Sequence, residues 1–156
     1  SGGLGVDTLV YSGRADSFTG GGGNDVFDIN ADGTSTQFLT ITDLAVGDTV
    51  DFAGVTDGAA TIADAALGTK ITLGANATLT NYLDNACSDT TDANSDSTID
   101  TSLAKWFQFG GDTYIAVDNS VAATYTSGTD VKLKISGEID LSTSTFASEI
   151  LTIVTV

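Results

Sequence analysis

Three aspartates spaced nine residues apart, Asp7, Asp16 and Asp25, are each followed two positions later by a large apolar residue: Leu9, Phe18 and Phe27. Few folds can accommodate that period. In register the units read Gly2-Gly3-Leu4-Gly5-Val6-Asp7-Thr8-Leu9-Val10, then Tyr11 to Thr19, then Gly20-Gly21-Gly22-Gly23-Asn24-Asp25-Val26-Phe27-Asp28. The first and third fit GGxGxDxUx, with U a large apolar residue, at every position. The middle unit keeps Gly13, Asp16 and Phe18 but loses the other glycines. A glycine-rich linker is the plain alternative, but flexible linkers do not repeat Leu, Phe and Phe in register.

The pattern resembles the nonapeptide of the RTX proteins, whose repeats are calcium-binding β-helix units. The chemistry of each position agrees with that resemblance. Six residues make a tight turn in which glycines admit positive φ and let carbonyl oxygens converge. The next three form a short strand whose central side chain points inward. Two units complete one coil, so residues eighteen apart stack at about 4.8 Å, the strand spacing, and Asp7 lies over Asp25. Two unit charges about 5 Å apart repel by roughly 3 kcal/mol at an effective dielectric near 20. A cation reverses that sign. Calcium takes roughly six to eight oxygens in flexible geometry, which suits a bend rich in glycine and aspartate, whereas magnesium demands a stricter octahedron. The expected ligands are the carboxylates of Asp7 and Asp25 with the turn carbonyls of Gly2, Gly3, Gly5, Gly20, Gly21 and Gly23. Asp16 offers a carboxylate without most of the glycines.

Charge points the same way. The chain of 156 residues carries 21 acidic groups against 5 basic ones, a net charge of -16, and all but two of the acids are aspartate. Nucleic acid is excluded as a partner, because its affinity comes mostly from basic residues that neutralise phosphates. An anionic membrane surface is disfavoured unless divalent cations bridge it. A hydrophobic fraction of 41% argues against disorder, so the self-repulsion must be relieved either by bound divalent cations or by a halophile-like solvated surface. With no histidine, no HExxH and no GxSxG, the chain lacks the usual base and the commonest zinc ligand, and no enzyme is expected. Cys87 is the sole cysteine and reads as a buried thiol. No run of 18 or more apolar residues exists, so no membrane-spanning helix is expected, and no signal-peptide pattern is visible. The chain starts within a repeat and has no methionine, so it reads as a fragment.

Beyond Ile29 the period fails. Gln37 to Asp43 alternates as a strand, and Gly47-Asp48 supplies a turn to a second strand. The stretch Asp43-Leu44-Ala45-Val46-Gly47-Asp48-Thr49-Val50-Asp51-Phe52 resembles the ITDFxxGDxIDF segment that follows the repeats in RTX proteins. Asp43, Asp48 and Asp51 are candidates for a further calcium site, or else plain turn carboxylates. Thr56 to Leu67 reads as a short helix capped by Asp57, Lys70 to Leu73 as a strand, and Asn76 to Cys87 as a helix capped by Asn76, with Leu79, Tyr82, Leu83 and Cys87 on one stripe. Asp92, Asn94, Asp96, Thr98 and Asp100 alternate like the start of an EF-hand loop. Ser97 stands where that loop needs glycine and Leu103 where it needs glutamate, which leaves a looser calcium loop or a solvated acidic one. Lys105 to Asp118 is a β-hairpin turning at Gly110-Gly111-Asp112. Its Trp106, Phe107, Phe109 and Tyr114 read as core capping the roll, with a carbohydrate platform as the alternative. Asp130 to Ile135 is a strand ended by Gly137, and Asp140 to Phe146 a turn or short helix.

From the hairpin onward the chain is similar to the ending of bacterial RTX surface-layer proteins. Glu149 followed by Ile150 to Val156 resembles an uncleaved type I export signal. The expected fold is mainly β: a short calcium-binding parallel β-roll over residues 1–55, continuing into a β-rich cap with one or two short helices over 56–156. The resemblance implies a calcium-dependent structural module that leaves the cell unfolded through a type I exporter, folds outside at the cell surface, and contacts copies of itself in a lattice. Two alternatives stay open: the secretion domain of an RTX protease or lipase, and the terminal module of an RTX adhesin.

Overall fold

The computed structural model describes residues 1–12, 16–29, 38–53, 61–62, 67, 69–88 and 101–156. It is mainly β, with one helix among the described residues. The first strands are those of the repeats: β1 (Gly3–Leu4), β2 (Thr8–Val10), β3 (Ser17–Phe18), β4 (Gly21–Gly22) and β5 (Val26–Asp28). Then come β6 (Leu39–Ile41), β7 (Thr49–Asp51), β8 (Thr61–Ile62), helix α1 (Leu79–Ala86), β9 (Thr101–Phe109), β10 (Asp112–Asp118), β11 (Val131–Ile135), β12 (Thr145–Ala147) and β13 (Ile150–Thr152).

The eighteen-residue coil is present. Parallel pairing sets Gly3 against Gly21 and Leu9 against Phe27. The next rung is longer, because the chain between β5 and β6 breaks the period, yet pairing resumes in parallel with Phe27 against Val50 and Phe18 against Ile41. Two sheets result, in the orders β12-β13-β7-β5-β2 and β3-β6-β11-β10-β9-β8.

Inward side chains form rows across these sheets, as the two-residue strand period requires. One row runs Leu9, Phe27, Val50, Leu151, Phe146, and the other Leu39, Leu133, Ile115, Trp106. All nine residues belong to one buried cluster. The stretches before and after residue 55 share both sheets: β11 extends the coil in parallel beside β6, and β13 lies antiparallel to β7. The coil's C-terminal edge is therefore covered by the strand Val131–Ile135 and by part of the final apolar run, with the aromatic hairpin adding to β11 from outside.

On the far face of that hairpin Phe107 stacks on Tyr114 at 5.3 Å and on Tyr82 of α1 at 5.0 Å. Leu83, Ala86 and Cys87 complete this second cluster. Trp106 and Phe107 are 1% and 0% exposed, so they form core and no open platform for a sugar. The helical stripe is as expected, but its cap is not. Thr78 replaces Asn76 because its hydroxyl accepts the Asn81 N–H while the Asn81 side chain returns a bond to the Thr78 N–H, satisfying two orphan donors reciprocally. Thr61 and Ile62, placed in a helix by their alanine-rich setting, instead form β8 on the edge of β9, a pairing that overrides local propensity. The rest of that expected helix, apart from Leu67, lies outside the described residues. Lys70 to Leu73 contributes only a bridge between Ile71 and Phe107, and Asp140 to Phe146 turns directly into β12 without a helix.

Candidate metal centre

The bends of the coil are built on carboxylates. Asp25 is 1% exposed, and its Oδ1 accepts the Asp7 N–H at 2.9 Å. One rung further Asp48, 2% exposed, accepts the Asp25 N–H at 2.8 Å through Oδ1 and the Ala45 N–H at 2.8 Å through Oδ2. Each aspartate thus ties its rung to the one on its N-terminal side. Asp43 makes a related link, its two oxygens accepting the Gly20 and Gly21 N–H groups at 2.9 Å each. Burial pushes the Asp48 carboxyl above its ordinary range; the two N–H donors pull it back, and the charges of Asp25 and Asp43 push it further up.

Asp7 stands at the top of this ladder. Its Oδ2 is buried and has no hydrogen-bond partner among the described residues, a condition that buried polar atoms rarely keep. A Cβ at Gly2 would come within 2.6 Å of that oxygen and closer still to the Gly20 carbonyl oxygen. The same crowding recurs below it: a Cβ at Gly20 would meet Asp25 Oδ2, one at Gly21 the Gly3 carbonyl, and one at Gly23 the Gly5 carbonyl. Gly21 and Gly23 also hold φ of +101° and +134°, where other residues are strained. At these four glycines the bend therefore excludes a side chain and fills the space with oxygen atoms. Such a set, with one buried carboxylate oxygen unpaired, suits a hard cation held by the Asp7 carboxylate and carbonyls of the glycine turns.

The remaining candidates fall elsewhere. Asp16 accepts the Ser12 hydroxyl at 3.1 Å on a different bend. Asp51 accepts the Ala53 N–H at 2.9 Å on the outer face of β7, beside Asp28 in register. The Asp51 bond is of the kind a turn carboxylate makes. Asp92, Asn94, Asp96, Thr98 and Asp100 lie outside the described residues.

One group escaped the sequence reading. The ligand atoms of Cys87, Asp118 and Asp130 lie within 4.8 Å of one another, all three residues being buried. Burial, then the charges of Asp130 and Asp118, push the Cys87 thiol far above its usual range, and burial raises the Asp130 carboxyl. Part of the signal, the nearness of the two aspartates, lies in the pairing of β10 with β11. Val117 and Val131 are the last β10–β11 pair, and Asp118 and Asp130 are the residues next to them at that end. No family model and no curated protein matches this chain.

Proposed function

We propose that this chain is a non-enzymatic, calcium-dependent structural module, the C-terminal portion of a type I-secreted bacterial surface-layer protein. In this reading calcium couples folding to export and lattice assembly. The observation that carries it is the unpaired Asp7 Oδ2 in a bend where glycines leave room only for oxygens. The stacked aspartates and a net charge of -16 add support, since a bound dication offsets both. Asp7 and Asp25 would supply carboxylates, and Gly2, Gly3, Gly5, Gly20, Gly21 and Gly23 the converging carbonyls, with Asp43 and Asp48 fixing the bends from below. Where calcium is scarce the chain would stay unfolded, and where it is abundant each site would stabilise the folded state by about RT ln(1 + [L]/Kd), roughly 2.7 kcal/mol at a hundredfold excess.

Equilibrium unfolding at fixed ionic strength, with free calcium buffered from chelator to excess, tests this. The midpoint should rise steeply with calcium and not with an equal concentration of magnesium. A midpoint that follows ionic strength alone would leave the halophile-like surface as the explanation of the charge.

A further inference from the structure

Just past the last β10–β11 pair, Val117 with Val131, the carboxylates of Asp118 and Asp130 come within 4.8 Å of each other, and like charges that close repel. Here both are removed from water as well: Asp118 is 0% exposed and Asp130 1%. The surrounding loop is shaped around Asp130, whose carboxylate accepts the Asn119 N–H at 2.9 Å, the Thr126 N–H at 2.6 Å and the Ser120 hydroxyl at 3.4 Å. These donors fix the carboxylate in place without supplying a full positive charge.

A second and separate element aims a polar side chain at the pair. Cys87 caps the C-terminus of α1, and the Tyr125 N–H donates to Asp84 of that helix at 3.2 Å, tying the loop to it. The thiol is 0% exposed, makes no hydrogen bond among the described residues, and brings its Sγ to within 4.8 Å of an oxygen of each aspartate. A buried thiol against apolar neighbours needs no explanation. One directed at two buried carboxylates does, and a doubly charged ion among the three would bind all of them at once and give the sulfur a partner.

Donor chemistry selects the ion. Calcium takes oxygen ligands, whereas zinc and related ions bind thiolate, carboxylate and water together, often with four ligands. We propose that Cys87, Asp118 and Asp130 hold a divalent first-row transition ion of the zinc class, which clamps α1 to the end of the hairpin. This site is independent of the coil bends and of their calcium.

The test uses cobalt(II) as a spectroscopic substitute. The full chain, unfolded in chelator and then refolded in excess calcium with cobalt added, should show a thiolate-to-cobalt absorption band that saturates at one equivalent. Cys87 is the sole cysteine, so oxygen-only sites in the coil cannot produce that band. Asp118→Asn should weaken cobalt binding at least tenfold, and Asp7→Asn should leave it unchanged. A wild-type chain without the band, a band abolished by calcium, or an Asp118→Asn variant with unaltered cobalt affinity would overturn the assignment. The calcium reading of the coil would survive each of those results.

Discussion

The N-terminal coil and the β9–β10 hairpin are both β-structure, yet they are held by different forces. In the coil, rungs are joined by aspartate carboxylates that accept backbone N–H groups of the preceding rung, and at Gly2, Gly20, Gly21 and Gly23 its bends leave no room for a side chain. The hairpin turns on Gly110 and Gly111, in open space, and takes its cohesion from Trp106, Phe107 and Tyr114 on both faces. The contrast teaches that a chain with a net charge of -16 can build part of its structure on polar bends while one apolar core, common to coil and hairpin, joins the two.

Large-to-small substitutions should break that comparison hardest. Phe27→Ala and Trp106→Ala each empty a fully buried position and should cost about 3–5 kcal/mol in denaturant unfolding with calcium present. Since both side chains sit in one cluster, the two losses should appear as a single transition. Two separate transitions would mean that the shared core does not couple coil and hairpin. Asp25→Asn keeps an oxygen to accept the Asp7 N–H but removes a charge. It should cost about 3 kcal/mol in excess calcium, as the loss of one site implies, and about 0.5 kcal/mol or less at the lowest free calcium that still folds the chain, where chiefly the hydrogen bond counts. Equal losses in both conditions would assign Asp25 a purely structural role.

Glycine substitutions sharpen the contrast further. Gly21→Ala sets a Cβ against the Gly3 carbonyl at φ +101° and should cost about 2 kcal/mol. Gly111→Ala, at φ +88° with nothing near, should cost about 1 kcal/mol. The smallest effect belongs to the Asp112–Lys134 pair at 2.7 Å. Lys134 and the Gly137 N–H hold the Asp112 carboxyl below its ordinary 3.8, while Asp112 raises Lys134 above 10.5. The acid's contribution is present above pH 3.8 and lost as pH falls through its lowered value. The lysine's is present below pH 10.5 and lost as pH rises through its raised value. Asp112→Asn should therefore cost about 0.5 kcal/mol after allowance for solvent screening, constant across neutral pH and vanishing in strong acid.

Much of the coil was legible because its information is local. The period of Asp7 and Asp25, with Leu9 and Phe27, dictates stacking directly, and Asp43 and Asp48 announced the next bend. The capping of α1 by Thr78 was misread because Asn76 is an equally good cap by type, and only the reciprocal bond with Asn81 decides between them. The strand at Thr61 was hidden because its reason lies forty residues away, in the edge of β9. Cys87 meets Asp130 for a similarly remote reason: α1 packs across the hairpin, and no spacing in the sequence encodes that.

Strand β13 occupies an interior place in its sheet, between β12 and β7. Residues 150–152 must therefore be available before the coil's outermost rung can be sealed along that edge. A chain emerging from a ribosome with its amino end first could stack early rungs but not close them, so the finished molecule is kept from forming until synthesis has passed its last strand.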